Sequence, residues 1–433
     1  MSIEIKRPVS PQRYLFIGFF SAILIGSLLL SLPFSHAKSF SFSYIDALFT
    51  SVSAVCVTGL STVDIASSLT VFGKVILAVL IMIGGMGVAT MIISIALFLG
   101  LRVGVSGRSI ISESYNLGTL KGAVKVLKTV VFTSLGAQTI GMVLLYPVYR
   151  EDFSVLESLG HSAFHAVSSF NNAGFDILRG SESIELYAAN GYYLSVTMML
   201  IIVGGLGFFV IADLLRKRLR WRQLTMHTKM VLTSTAVLII AGAAVFLLSG
   251  GKSVFESLFL SVTSRTAGFS TLDISSLYQV EIWTLIILMF IGASPGSTGG
   301  GVKTTTVFTL LLSLLTMQRK KDTSVFSRRI SSESVLKAYQ VVLLGIMTII
   351  GTTWLILLSE RGQFTMFEVL FESVSAFATV GLSTGITGNL NSFSKIFVMI
   401  AMFIGRVGPI TIAANIVTKE TNLRSIQERV FIG

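Results

Sequence analysis

Cysteine occurs once in 433 residues, as Cys56, which excludes an intramolecular disulfide framework. Charge is nearly as scarce. Asp, Glu, Lys and Arg together make up 12% of the chain, against about a quarter in an ordinary soluble domain. With 52% hydrophobic residues and a mean hydropathy of +0.82, the chain reads as an integral membrane protein. The four histidines, His36, His161, His165 and His227, are scattered. His161 and His165 stand four apart, but with no third ligand or catalytic acid at helical spacing they do not make a metal site. No GxGxxG follows a strand pattern, and GSTGGGVKTTT fails the phosphate-loop spacing because Val302 separates Gly301 from Lys303. An enzyme is therefore not expected.

Apolar runs longer than about 18 residues indicate helical spans rather than the 9–11-residue strands of a barrel. Eight can be drawn, at 14–32, 74–100, 124–148, 192–215, 229–249, 281–317, 335–358 and 395–418. No cleavable leader is expected, since the first run is followed by seven more. Twenty-three of the 33 Lys and Arg residues fall in the N-terminus and in segments 101–128, 216–229, 319–337 and 419–433. The positive-inside rule then makes both termini cytoplasmic. A charge so distributed argues against nucleic acid as the reason for the net +12. Runs such as RKRLRWR, 216–222, suit anionic headgroups or a cytosolic partner.

Between the members of each successive pair of spans lies one motif: FTSVSAVCVTGLSTVD at 49–64, FHAVSSFNNAGFD at 164–176, FLSVTSRTAGFSTLD at 259–273 and FESVSAFATVGLST at 371–384. Each is a short apolar segment of about ten residues, suited to a re-entrant half-helix, ending on Gly59, Gly174, Gly268 or Gly381. A fixed order recurring four times makes an internal repeat. The expected architecture is all-α: four span–pore helix–loop–span units around one axis, with eight spans and four re-entrant helices. The units run 14–105, 106–222, 223–325 and 326–420, between cytoplasmic tails at 1–13 and 421–433. A phenylalanine stands ten residues before the glycine in units one, two and four but nine before it in the third, where it is Phe259.

Irregular backbone at membrane depth must line a polar path or be covered by protein. Glycine lets carbonyls turn toward such a path, and a ring of carbonyl dipoles can replace a cation's hydration shell. The candidate ring is Val57-Thr58-Gly59, Asn172-Ala173-Gly174, Thr266-Ala267-Gly268 and Thr379-Val380-Gly381. The C-terminal ends of the short helices would add partial negative charge. Asp46, Asp64, Asp152, Asp176 and Asp273 lie toward the outer mouth, either concentrating cations or merely solvated.

The sixth span is too long. Its 37 residues, 281–317, would make a straight helix of about 55 Å across a core of about 30 Å. Its middle, IGASPGSTGGGVKTTT, holds Pro295 with Gly292, Gly296, Gly299, Gly300 and Gly301, so a break there and a gate are expected. Lys303 and Arg406 are embedded cations assigned to that gate, either facing the cavity or anchoring helices, for Arg406 through a salt bridge or a carbonyl contact. Arg265 is expected to brace its loop, with Glu256 as a candidate partner. The pairs Gly84-Gly85 and Gly204-Gly205 are expected to permit close helix contact.

These motifs resemble the Trk/Ktr/HKT superfamily of potassium transporters over nearly the whole chain, most closely the bacterial Ktr membrane subunit (KtrB type). Thr379-Val380-Gly381 is similar to the start of the TVGYG filter of potassium channels, and SRTAGFST and NNAGFD to the third and second Ktr loops. The resemblance implies a bacterial inner-membrane subunit that passes K+ inward, with the K+ held at the filter residues, an intramembrane gate at the broken sixth span, and Na+ as a candidate activator. It further implies a homodimer carrying a separate cytosolic nucleotide-binding ring of RCK type, and no organic cofactor in this chain. Sodium-selective plant members carry serine at the first-loop glycine, so Gly59 implies potassium. The alternatives are a coupled secondary transporter of another small solute, for which inverted repeats would be expected, and the channel-like subunit of an ATP-driven pump.

Overall fold

A computed structural model describes residues 11–37, 42–98, 103–114, 122–178, 184–318 and 323–409. The tail 421–433 and most of the tail 1–13 lie outside the described residues. The described residues are mostly helical, in four successive groups of helices, the first of which runs to Ser114, beyond the expected bound at 105. The first comprises α1 (Pro11–Leu30), α2 (Tyr44–Cys56), α3 (Ile65–Ser68), α4 (Val71–Met86), α5 (Val88–Phe98) and α6 (Val105–Ser114). The second comprises α7 (Ala123–Asp152), α8 (Val155–Phe170), α9 (Gly191–Leu206) and α10 (Phe208–Lys217). In the third are α11 (Met226–Leu248), α12 (Val254–Thr263), α13 (Gln279–Phe290) and α14 (Thr304–Gln318), and in the fourth α15 (Ser332–Glu360), α16 (Met366–Ala378) and α17 (Ser392–Val407). A two-stranded hairpin, Ser324–Val325 with Arg328–Arg329, joins the last two units.

Among the described residues, the first helix of each unit, α1, α7, α11 and α15, is the one both long and apolar enough to cross a membrane unbroken. Their outward faces carry exposed apolar side chains such as Ile17, Phe132, Val237 and Leu343, as a lipid contact requires. The second helices behave differently. The expected continuous spans 74–100 and 192–215 are bent by 100° between α4 and α5 and by 96° between α9 and α10. Sequence reasoning reserved a break for the sixth span alone. The cause is Gly87 (φ 85°, ψ 133°) and Gly207 (φ 91°, ψ 138°), a backbone state closed to a continuing helix and open to glycine. Gly408, after α17, adopts the same state.

The short helices α2, α8, α12 and α16 start alike. Ser43, Ser154, Ser253 and Thr365 occupy their N-caps. Glu157, Glu256 and Glu368 accept from the backbone N–H of their own caps, which closes a capping box in units two to four. In unit one Asp46 stands at that third position and accepts from the Ser43 hydroxyl at 2.5 Å. Glu256 is thus committed to the start of α12 and is not the partner of Arg265. Phe49, Phe164, Phe259 and Phe371 are buried one per unit, distributed over three apolar clusters that seat the short helices against their spans. Lipid is as apolar as these side chains, so their burial gains packing rather than dehydration.

Candidate pore and the loop beneath it

Each short helix ends in the interior of the bundle and each glycine follows it at positive φ: Gly59 at 96°, Gly174 at 68°, Gly268 at 78° and Gly381 at 97°. The four are neighbours in a closed circuit. A Cβ built on Gly59 would lie 2.6 Å from the Ala173 carbonyl oxygen, and one on Gly174 would lie 2.8 Å from that of Ala267. On Gly268 it would strike the Val380 carbonyl and on Gly381 that of Thr58, which returns the circuit to the first loop. All twelve residues of the expected ring are therefore brought together. The carbonyl before each glycine is packed against the glycine of the preceding loop, too closely for any side chain.

Two residues ahead of each glycine the backbone is again left-handed, at Val57 (φ 57°), Asn172 (56°), Thr266 (76°) and Thr379 (52°). None is glycine and three are β-branched, for which this conformation is strained by about 1–3 kcal/mol per residue. A run of hydrogen bonds holds it in place. In unit one Thr58 N donates to Ser53 O (2.8 Å) and Val57 N to Ala54 O (3.1 Å), and units two and four repeat this pair at Ala173/Ser168 with Asn172/Ser169 and at Val380/Ser375 with Thr379/Ala376. This is the reciprocal closure that ends helices in a left-handed residue. Gly59 N and Gly381 N also donate to the hydroxyls of Ser53 and Ser375, both at 3.1 Å. Unit three, one residue shorter from its phenylalanine, closes differently, with Ala267 N and Gly268 N both on Thr263 O.

Sequence reasoning placed these residues in the ring but missed their left-handed strain, for which no composition signal exists. Their side chains explain why they are not glycine. Thr379 Oγ1 accepts from Gly300 N at 3.0 Å, Thr266 hydrogen-bonds the Asn172 amide at 3.1 Å, and a Cβ on Gly299 would collide with the Thr266 hydroxyl. The ring thus rests on the segment between α13 and α14.

That segment, Ile291 to Lys303, is non-helical, as its Pro and Gly content leads one to expect. It is firmly tied. Ser294 N and Thr298 N donate to Gly205 O (3.1 Å) and Gly204 O (3.3 Å), Gly301 N to Gly405 O (3.3 Å), and Gly296 O accepts from Phe208 N (2.9 Å). Glycine at 299 and 300 serves close approach to the ring rather than looseness, whereas Gly296 and Gly301 supply positive φ. Lys303 Nζ turns back onto the carbonyls of Gly299 (2.7 Å) and Gly300 (3.2 Å). Arg406 donates to Thr298 O and to the Gly84 and Gly85 carbonyls, binding α17 to α4 and to the loop at once. Both embedded cations therefore sit on carbonyls. Arg406 takes the place held by Gly85 and Gly205 in the related stretches GGMG, GGLG and GRVG. Close contact at the glycine pairs is as expected: a Cβ on Gly84 or Gly204 would strike the Val55 or Phe170 carbonyl.

Around the starts of the short helices and in the turns that follow their loops, the acids cap and clamp. Asp64 and Asp273 cap the turns that follow their loops, Asp176 accepts from Leu178 N at 3.2 Å and Asp152 from the Tyr187 hydroxyl at 2.8 Å. Asp46 accepts from Thr62 (2.7 Å) and pairs with Lys395 (3.0 Å), which closes unit four onto unit one. Burial alone would raise the Asp46 carboxyl, but the hydrogen bonds from Ser43, Thr62 and Lys395 win and hold it below the usual carboxylate value. Glu372, buried inside α16, receives the hydroxyls of Ser383 and Thr387 just beyond Gly381. Sequence reasoning passed over Asp46 as a clamp, although S/T-x-x-D/E at the start of each short helix was a legible signal for it, and it passed over Glu372 altogether.

The family model described as "TrkH: Cation transport protein" matches residues 10–424. The chain is 36% identical to Ktr system potassium uptake protein B of Bacillus subtilis, over 98% of its own length and 97% of that protein. It is 34% identical to the potassium/sodium uptake protein NtpJ of Enterococcus hirae, with 100% and 99% covered. The crystal structure of the potassium transporter TrkH from Vibrio parahaemolyticus superposes with a TM-score of 0.75, covering 96% of this chain and 87% of that one at 17% identity, a likeness of fold.

Proposed function

The chain belongs to the TrkH family of cation transport proteins, and on that premise we propose that it is the membrane pore subunit of a potassium uptake system. The observation that carries this reading is the closed circuit of four glycine loops, each offering a carbonyl beside the preceding loop's glycine. Carbonyl dipoles so arranged replace a cation's water, and the C-terminal ends of α2, α8, α12 and α16 favour positive charge at the same place. K+ enters from the outer face, and a potential of 100 mV supplies about 2.3 kcal/mol per ion, so no ATP hydrolysis is needed in this chain. The similarity to a protein named for both potassium and sodium keeps Na+ in the reading as a second ion.

The segment from Ile291 to Lys303 is the gate. It lies directly under the ring through Thr266 and Thr379, and Lys303 and Arg406 hold it there by its carbonyls. Opening requires these charge-assisted bonds to be exchanged. The work comes from a separate cytosolic nucleotide-binding ring acting on a dimer of this chain, in keeping with a relative named as one protein of a potassium uptake system. Both termini face the cytoplasm and the membrane is the bacterial inner membrane.

The test is potassium uptake in a bacterial strain lacking its own uptake systems, comparing the chain with Gly59→Ser and Gly381→Ser across K+ and Na+ concentrations. Loss of K+ preference in both variants supports the ring. Unchanged preference overturns it and favours the coupled-transporter alternative.

A further inference from the structure

Arg265 is the one buried cation of the pore layer that the reading above leaves without a task. It is 7% exposed and lies at the C-terminal end of α12, a half-helix that stops inside the apolar layer. A guanidinium has five N–H donors. Here two of its nitrogens reach only Thr235 O and Oγ1, at 3.5 Å each, and Nε has no partner. No carboxylate among the described residues is in ion-pair reach of it. The partial negative charge of the helix end offsets part of that cost, but it leaves donors unmet.

The guanidinium lines a small cavity of about 10 Å³, with Thr235, Gly205 and Ala293 also on its wall. That volume suits one small polar group. Ile202, Ile239 and Val262 are shared between this chamber and an open cleft of about 370 Å³ between α9, α11 and α12. The cleft is walled by Met198, Met199 and Leu258, and it opens on the lipid-facing side, where Met199 is 62% exposed. The side chains of Ile202, Ile239 and Val262 thus stand between lipid and an unsatisfied cation, and a carboxyl group reaches Arg265 where they turn aside.

We propose that this cleft binds a single-chain carboxylic acid amphiphile, a fatty acid, with its chain along Met199 and Ile202 and its carboxyl group on Arg265. The depth of the site selects this class. A fatty acid enters the apolar layer as the neutral acid, whereas a phospholipid would have to bring a permanently charged headgroup through it. A carboxyl matches the guanidinium fork, which a water molecule does not neutralise. The occupant would touch two moving parts. Arg265 adjoins Thr266 of the third loop, and the chamber wall includes Gly205, whose carbonyl accepts from Ser294 N of the segment below the ring.

The test uses the full chain in nanodiscs of a zwitterionic lipid and a palmitic acid analogue bearing a photoreactive diazirine. Labelling is expected on α9, α11 or α12, displaced by palmitate but not by methyl palmitate or phosphatidylglycerol. Arg265→Gln is expected to weaken labelling about tenfold, the loss of one buried charge-assisted pair. Because Arg265 adjoins the third loop and its replacement can disturb that loop, Met199→Trp provides the second arm. It fills the cleft mouth from a lipid-facing position, and is expected to abolish labelling while potassium uptake stays as in the parent chain. Labelling that survives Met199→Trp, falls outside these helices, or yields equally to the methyl ester or to phosphatidylglycerol overturns the proposal. Binding is read without any ion flux, so its failure is distinct from a failure of the potassium reading.

Discussion

The loops that form the ring and the layer immediately beneath it obey opposite rules. In the ring the four units are nearly copies, each with a left-handed residue, a carbonyl and a glycine in the same order. Below it the four second helices diverge. Two are glycine-paired and bent at Gly87 and Gly207, one is interrupted from Ile291 to Lys303, and one carries Arg406 where the others have glycine. Under the proposed function the ring has a symmetric task, surrounding an ion, which constrains every unit alike. An obstruction needs only one occupant of the axis, so three units are free to differ in order to hold the fourth.

The sharpest way to break this contrast is at the ring. Gly268→Ser or Gly381→Ser places a Cβ against a backbone carbonyl and a side chain at strongly positive φ. A strain of about 1–3 kcal/mol at that point corresponds to about a tenfold or greater loss of K+ over Na+ preference, read by competition uptake. Next is the contact between layers. Gly300→Ala would press on the Thr379 hydroxyl, and the expected result is faster uptake, by about threefold for a shift of under 1 kcal/mol, with preference kept. A collapse of preference instead would mean that the two layers are one.

Arg406→Gln removes a cation from three carbonyls on two other elements. It is expected to lower stability in detergent by about 2 kcal/mol and to speed uptake without changing preference, as thermal unfolding and rate together would register. Glu372→Gln keeps the volume and weakens the two hydroxyl bonds behind the fourth loop, with an expected loss of preference of about twofold to threefold. The smallest effect is Asp46→Asn, about 1 kcal/mol or less for a pair near the surface. The folded carboxyl of Asp46 titrates below its unfolded value of about 3.9. Its contribution is therefore present at neutral pH and disappears as pH falls through the lowered folded value. Melting curves of parent and Asn variant should converge in that acidic range.

The repeat and the interrupted sixth span were legible because they are written in composition: four glycines in register, and a proline among five glycines in an overlong span. The bends at Gly87 and Gly207 were not, because one glycine in an apolar run signals packing as readily as a change of direction. The strained Val57, Asn172, Thr266 and Thr379 were illegible for a deeper reason. Their conformation is set by neighbours in other units, and their side chains are chosen by what lies beneath them. Arg265 misled because a buried base suggests a nearby acid in sequence, whereas Glu256, nine residues before it, was already committed to a helix start.

The circuit has a seam. Gly381 meets Thr58, Lys395 meets Asp46, and Arg406 meets Gly84 and Gly85, so the first and last units touch through residues more than 320 positions apart. A ribosome releases these partners at opposite ends of its task. On the proposed reading, until the last unit is inserted the growing chain holds three quarters of a ring and no blocking arginine, and coordination of the ion and the lock on its path are completed by the same final segment. Biosynthesis thus offers no interval in which a finished conduit stands in the membrane without its stopper.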